Sequence, residues 1–340
     1  MVRTGALGDT LMATPVVPAL AERYPGARID MLVSAAAAPL VAGVPGIARV
    51  LPLRQRNWPF WLSPEKQRLV GALRAAQYER AIVLEHAARY YELAERARVS
   101  RVTGFRETPF DPRLHSIANN LRAAGFDDYA RRSWRMLIAL DTGTPPAIAD
   151  LVREAARPLV GLHVGYGPLG RKKDQERRLR GWPLENFGIV GRALVERGAT
   201  LVLTGAAEDR PAIERLAAML PRERVIDGAG RCSLGETVAL VRQLDLLVSV
   251  DSGPAHIAAA VGTPLIVLWG PGILDQTRPV SMVSPVDVLR EPVECAPCYG
   301  TPMMKACRRN ICMEGILPDR VIVAIERRLA TARPSLRPPA

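Results

Sequence analysis

Aromatic residues make up only 5% of this 340-residue chain. No motif interleaves them with basic positions, so the stacking platforms that nucleic-acid binders use are missing, and nucleic acid is not an expected partner. Lysine is almost absent: Lys66, Lys172, Lys173 and Lys305 are the only four, and the net charge of +12 rests on arginine. Such an excess favours an anionic partner, with a phosphorylated, membrane-associated substrate ahead of nucleic acid. No apolar run approaches the roughly 20 residues of a membrane span, and no charged-then-apolar leader precedes the first motif. The expectation is a cytoplasmic protein. Cysteine is limited to five residues, four of them in one segment, which leaves no spread of pairs for a disulfide framework.

What is present is a hydrophobic content of 48% on a length that suits two domains of about 150 residues each. Short β-branched runs alternate with helical segments, the pattern of parallel sheets with crossover helices. Strands are predicted near 28–33, 49–53, 80–84, 159–163, 200–203, 246–250 and 265–268. Helices are predicted over 10–24, 64–77, 87–98, 184–197, 209–220 and 234–243. The division is expected within 141–158, giving an N-terminal domain over 1–145, a C-terminal domain over 158–325 and a Pro-rich tail over 326–340.

The most informative stretch is LLVSVDSGPAHIAAAVGTPLIVLWGP, Leu246 to Pro271. Two continuous apolar strands flank a turn carrying Asp251, Ser252 and Gly253, and then a short helix of small residues with His256 in it. A helix starting there offers unpaired N–H groups and a partial positive charge, which phosphate commonly occupies. His256 has an alternative reading as a satisfied core histidine. A second glycine loop, RTGALGDT, opens the chain: Gly5 and Gly8 let backbone approach a ligand, and Asp9 stands at a helix start. On local sequence alone, Asp9 as a simple helix cap is the favoured reading, since a lone glycine-rich turn is a weak signal. In RGWPLENF, Trp182-Pro183 fixes a turn from which Arg180 projects, after a basic run that is otherwise a solvated loop. In TGAAED, Glu208 follows a strand, where an acidic residue can accept hydrogen bonds from ribose or cap the next helix. Cys295, Cys298, Cys307 and Cys312, spaced C-x2-C-x8-C-x4-C, suit tetrahedral zinc or iron, with packed free thiols and disulfides as the alternatives.

Taken in order, GALGDTLMATPVVPAL, the R-x-W-P segment, TGAAEDR, VSVDSGPAHIAAAVGTPLIVLWGP and the CAPC segment resemble the ADP-heptose:lipopolysaccharide heptosyltransferase family, glycosyltransferase family 9. The resemblance covers most of the chain and is weak between Leu53 and Leu140. It implies a GT-B architecture, two Rossmann-like domains over a cleft, with the ADP-sugar donor on the C-terminal one and a lipid-anchored glycan acceptor on the N-terminal one. By resemblance Asp9 is the catalytic base, Arg180 contacts donor phosphates, Glu208 the ribose, and Asp251, Ser252, Gly253 and His256 line the donor turn.

The implied reaction moves heptose from ADP-heptose to a lipopolysaccharide core with inversion, at the cytoplasmic face of the inner membrane, by peripheral contact. A carboxylate near pKa 4 is a weak base, so it acts as the acceptor hydroxyl becomes acidic in the transition state. Arg180 and the amides at Ser252-Gly253 would offset the diphosphate charge, so no cofactor is expected for catalysis, whatever structural ion the cysteines hold. The rivals are a family transferase with another donor or acceptor, a nucleotide-sugar-binding protein without turnover, and an epimerase. Only Met1, Val2 and Arg3 precede the glycine loop, so the first sheet is expected to lose its central strand, leaving Asp9 poorly anchored and pointing to a start upstream.

Overall fold

The computed structural model describes residues 1–55, 57–140, 143, 146–165 and 179–331. Two compact units emerge, Met1–Asp141 and Thr142–Ala340.

The first unit is built on β1 (Val2–Arg3), β2 (Asp30–Ser34), β3 (Arg49–Leu53), β4 (Arg80–Val83) and β5 (Arg101–Gly104), ordered β3-β2-β1-β4-β5. Every pairing is parallel. The second carries β6 (Leu159–His163), β7 (Thr200–Thr204), β8 (Val225–Asp227), β9 (Leu246–Val250), β10 (Leu265–Trp269) and β11 (Val286–Arg290), ordered β11-β10-β9-β6-β7-β8 and again wholly parallel. Both orders are doubly wound, and each reverses direction beside its first strand, between β1 and β4 and between β6 and β9. Ligands of such sheets bind outside the carboxyl ends of the strands at these switch points.

Burial follows from sequence. Strands β6, β7, β9 and β10 are buried at every position, as strands covered by helices on both faces must be. Val160, Leu162, Leu201, Leu203, Val248, Ile266 and Leu268 pack with Phe187, Val190 and Leu194 of the helix Leu184–Glu196 and with Val321 and Ile325 of the helix Pro318–Thr331.

Three expectations are corrected. The central strand of the first sheet is not lost: β1 is two residues long, yet Val2 pairs with both Leu32 and Val83, and Arg3 with Val33. The helix expected over 10–24 is two, Leu7–Ala13 and Val16–Arg23. Pro15 lacks the N–H a continuous helix needs, and the Thr14 hydroxyl donates to the Leu11 carbonyl at 2.7 Å where the first helix ends. The stretch read as a tail from residue 326 begins inside the helix Pro318–Thr331. Three further strands were not foreseen: β5, β8 and β11, each of which carries a charged residue in its short run and sits at a sheet edge. Among the described residues no helix is long and apolar enough to cross a membrane.

Candidate functional site

In the first unit the glycine loop leaves β1 at the switch point. The guanidinium of Arg3 donates to Asp9 Oδ1 at 2.9 Å and also to the Leu84 carbonyl at the end of β4. Asp9 Oδ2 accepts the Ala6 N–H at 2.9 Å, so the carboxylate does cap the helix Leu7–Ala13. Its side chain nonetheless stays 33% exposed. The capping and chemical readings are therefore compatible: backbone and arginine hold the carboxylate from inside while an outer face remains open. Gly5 is required here, because a Cβ on it would stand 2.4 Å from Asp9 Oδ2. Its carbonyl accepts from the Ser34 hydroxyl at 3.2 Å. Gly8 is buried within the helix. Glu85, directly beyond β4, accepts from both the amide and the hydroxyl of Thr4. Asp9 is thus anchored by a strand of two residues because both neighbouring strands contribute side chains or carbonyls to the loop.

In the second unit Trp182 is fully buried, donates to the Ile316 carbonyl at 2.9 Å and packs edge-on against Phe187. That anchor fixes the turn carrying Arg180. The guanidinium meets Asp251 Oδ2 at 3.4 Å and lies 4.3 Å above the Tyr299 ring. Two residues singled out separately in the sequence, 71 positions apart by number, are one ion pair beyond β9. Asp251 has a side chain only 9% exposed. The helix Gly253–Val261 begins next to it, and Ser252 does not cap it: its hydroxyl engages Ser249 at 3.0 Å instead. The first-turn amides, one cation and one acidic group therefore converge beyond β9. His256 is buried in that helix. Glu208 lies exposed in the turn Ala207–Asp209, and capping there falls to Asp209, which accepts the Ala206 N–H at 2.8 Å.

Sequence reasoning missed several contributors. His163, at the end of β6, bonds Thr204 at 3.1 Å. Burial lowers its pKa to about 4 against the opposing pull of Asp209, so its imidazole is neutral at physiological pH. A histidine closing an apolar strand was the available signal. The basic run Arg171, Lys172, Lys173, Arg177 and Arg178 lies outside the described residues.

The cysteine segment packs beside the turn that carries Arg180. Burial raises the Cys312 thiol to about 11, with Cys295, Cys298 and Cys307 adding to the rise, and the Cys298 thiol moves the same way. All four are free. Among the described residues no group of three or more His, Cys, Asp or Glu is arranged to hold a metal. What the segment does is brace Arg180. Cys298 packs on Leu179, Asn310 donates to the Gly181 carbonyl at 2.9 Å, and the amides of Cys298 and Tyr299 both donate to the Pro271 carbonyl beyond β10.

Cavities add position but not chemistry. One of about 840 Å³ opens at the amino edge of the first sheet, near Asp30, Tyr78 and Arg80, away from every motif residue. Another, of about 420 Å³, takes in Trp269, Gly272 and Asp275 where β10 ends.

Residues 172–306 match the model of glycosyltransferase family 9 (heptosyltransferase). Lipopolysaccharide heptosyltransferase 2 of Salmonella typhimurium is 27% identical over 304 residues, covering 81% of this chain and 83% of that protein. The solved Escherichia coli ADP-heptose lipopolysaccharide heptosyltransferase II superposes with a TM-score of 0.74 at 22% identity, over 97% of each chain. A family 9 glycosyltransferase structure from Veillonella parvula reaches 0.77 at 18% identity, over 97% of this chain and 96% of that one. These likenesses confirm the expected Rossmann-like fold of both units.

Proposed function

We propose that this chain is a glycosyltransferase of family 9 and that it transfers heptose from ADP-heptose to a lipopolysaccharide core acceptor, with inversion at the anomeric carbon. The observation that carries the donor half is the Arg180–Asp251 pair beside the start of the helix Gly253–Val261. A diphosphate placed there meets a guanidinium fork and a helix N-terminus together, and both gain as the leaving group accumulates charge. These groups supply the positive charge the departing ADP requires. Glu208, exposed beyond β7, is the ribose contact in this reading.

Asp9 takes the proton of the acceptor hydroxyl as that oxygen attacks. The C–O bond to the acceptor forms while the C–O bond to the β-phosphate breaks, and ADP leaves with the electron pair. A carboxylate is a weak base toward a free hydroxyl, so the proton moves late, once the oxygen has given electron density to the sugar. The acceptor is a lipid-anchored anionic glycan, and the enzyme works at the cytoplasmic face of the inner membrane.

The test is acceptor-dependent ADP release. ADP-heptose with a lipopolysaccharide core acceptor should give ADP in step with glycan extension. ADP release without acceptor, or isomerised donor, would replace transfer by hydrolysis or epimerisation. In parallel, ADP-heptose should raise the melting temperature more than UDP- or GDP-sugars do, since a ligand bound only by the folded state stabilises it by mass action; preferential stabilisation by UDP-sugars would overturn the donor assignment.

A milder effect is expected from Tyr299→Ala. Losing the ring under Arg180 removes a cation–π contact of about 0.5–1 kcal/mol at an exposed site. Calorimetric titration with ADP should show affinity weakened about two- to five-fold. Unchanged affinity would make the stacking incidental.

A further inference from the structure

The turn Asn57–Leu62, reading NWPFWL, lies beyond β3 and includes the one-turn helix Phe60–Leu62. Trp61 is 72% exposed, Trp58 52% and Leu62 48%, three large apolar side chains in five residues. Tryptophans this open are uncommon in a folded chain, because each leaves a large apolar surface in water. These are not the outcome of a loose loop. The buried ammonium of Lys66 donates to the Trp58 carbonyl, and the Gln67 amide donates to the Trp61 carbonyl at 3.2 Å. Glu65 accepts the amides of Arg54 and Gln55, and Arg96 covers the Phe60 ring at 4.3 Å. The backbone polar groups are satisfied inward while the two indoles and Leu62 face out.

The surroundings are cationic. Residues 54–74 contain Arg54, Arg56, Lys66, Arg68 and Arg74 against Glu65 alone. Arg54, Arg68 and Arg89 are exposed, and Arg89 lies close enough to Lys66 to oppose its charge. The neighbouring carboxylates are occupied: Glu65 by the two amides, and Glu92 by Arg96 at 2.8 Å. Exposed indoles in an arginine-rich stretch match the chemistry of a bilayer headgroup region with anionic lipid, where tryptophan sits at the interface and arginine meets phosphate.

We propose that this turn is the docking surface of the enzyme on an anionic phospholipid bilayer, with Trp58, Trp61 and Leu62 inserted at headgroup depth. The inference rests on the reading of a lipid-anchored acceptor and supplies the element that brings the enzyme to it. In a parallel sheet the loops after β1, β3 and β4 all leave from one edge, so the turn stands on the same edge as Asp9, two strand spacings or about 10 Å across the sheet.

The full chain should be sedimented with vesicles of phosphatidylethanolamine and phosphatidylglycerol at 3:1, and with purely zwitterionic vesicles. Wild type should pellet with the first and not the second. Trp58→Ser/Trp61→Ser should partition about ten-fold more weakly or worse, at unchanged melting temperature. Tryptophan emission should shift further to the blue on vesicle addition in wild type than in the double variant, since Trp182 and Trp269 are buried and the half-buried Trp134, stacked on His115, is common to both proteins. Transfer to a delipidated soluble acceptor should be the same for both proteins. Partitioning that is equal for wild type and variant, or equal on both vesicle types, overturns the proposal. So does a switch from dimer to monomer in the variant without any vesicle effect, which would assign the turn to a second copy of the chain. Loss of soluble-acceptor transfer in wild type would sink the transfer reading and leave the vesicle result standing on its own.

Discussion

Asp9→Ala is expected to lower kcat by about 10²- to 10⁴-fold, the range for removing a positioned general base, with ADP-heptose affinity held within about two-fold. The affinity should survive because the donor contacts proposed here, Arg180, Glu208 and the helix start at Gly253, all belong to the other unit. The same carboxylate closes the Ala6 amide, so the variant should also lose about 1 kcal/mol of stability. Asp9→Asn separates the two roles. Its amide oxygen can still accept from Ala6, so the melting temperature should return toward wild type while kcat stays low. Arg3 complicates only the size of the recovery, because an amide is a poorer partner for its guanidinium than a carboxylate at 2.9 Å. ADP release at saturating donor, measured beside thermal unfolding, reads both quantities. Turnover of Asp9→Asn within a few-fold of wild type would remove Asp9 from proton transfer and leave it as a cap.

The second large effect is on the donor. Arg180→Ala should weaken ADP and ADP-heptose binding by about 10- to 100-fold, the size of a lost charge-assisted contact to phosphate. Two terms act in one direction. The phosphate loses its fork, and Asp251, 9% exposed, loses the cation 3.4 Å away and turns an uncompensated negative charge toward an anionic ligand. Arg180→Lys should fall between, since an ammonium keeps the charge but can neither bridge bidentately nor stack over Tyr299 at 4.3 Å as a plane. Arg180→Ala/Asp251→Asn should recover part of the lost affinity. If it binds ADP no better than Arg180→Ala, the repulsive term is absent and Asp251 serves the sugar or the fold. Affinity unchanged in Arg180→Ala would detach this arginine from the phosphates.

The parts of the molecule legible in sequence were those where one physical demand dominates. Leu246 to Val250 and Leu265 to Trp269 read as buried strands because short, almost wholly apolar runs between turns suit strands covered on both faces, and both are buried throughout, the polar Ser249 included. The edge strands β5, β8 and β11 escaped notice, since a strand with one neighbour tolerates the charges seen in Val225–Asp227 and Val286–Arg290. Thr14-Pro15 was readable as a break, but the apolar periodicity through it concealed the interruption.

At the site, single residues were legible and pairs were not. Asp251 and Arg180 each stood out from local turn chemistry, while their ion pair depends on how the Trp182 anchor sets the turn. Tyr299 and Asn310 carry no local signal at all; they matter because the segment between β11 and the helix Pro318–Thr331 folds back on Gly181 and Pro271. The cysteine spacing did mark that segment as special, though the side chains that reach the site from it are not the cysteines.

Gly5 and Asp9 illustrate how closely a fold can tie two positions. A methyl group at residue 5 would stand 2.4 Å from the very oxygen that closes the Ala6 amide, so any substitution there pushes the carboxylate off both its hydrogen bond and its aim. The two positions are therefore coupled: as long as residue 9 keeps its carboxylate in this place, residue 5 is held to glycine. For redesign, shifting or lengthening the carboxylate proposed as the base means exchanging the loop from Gly5 to Asp9 as a unit.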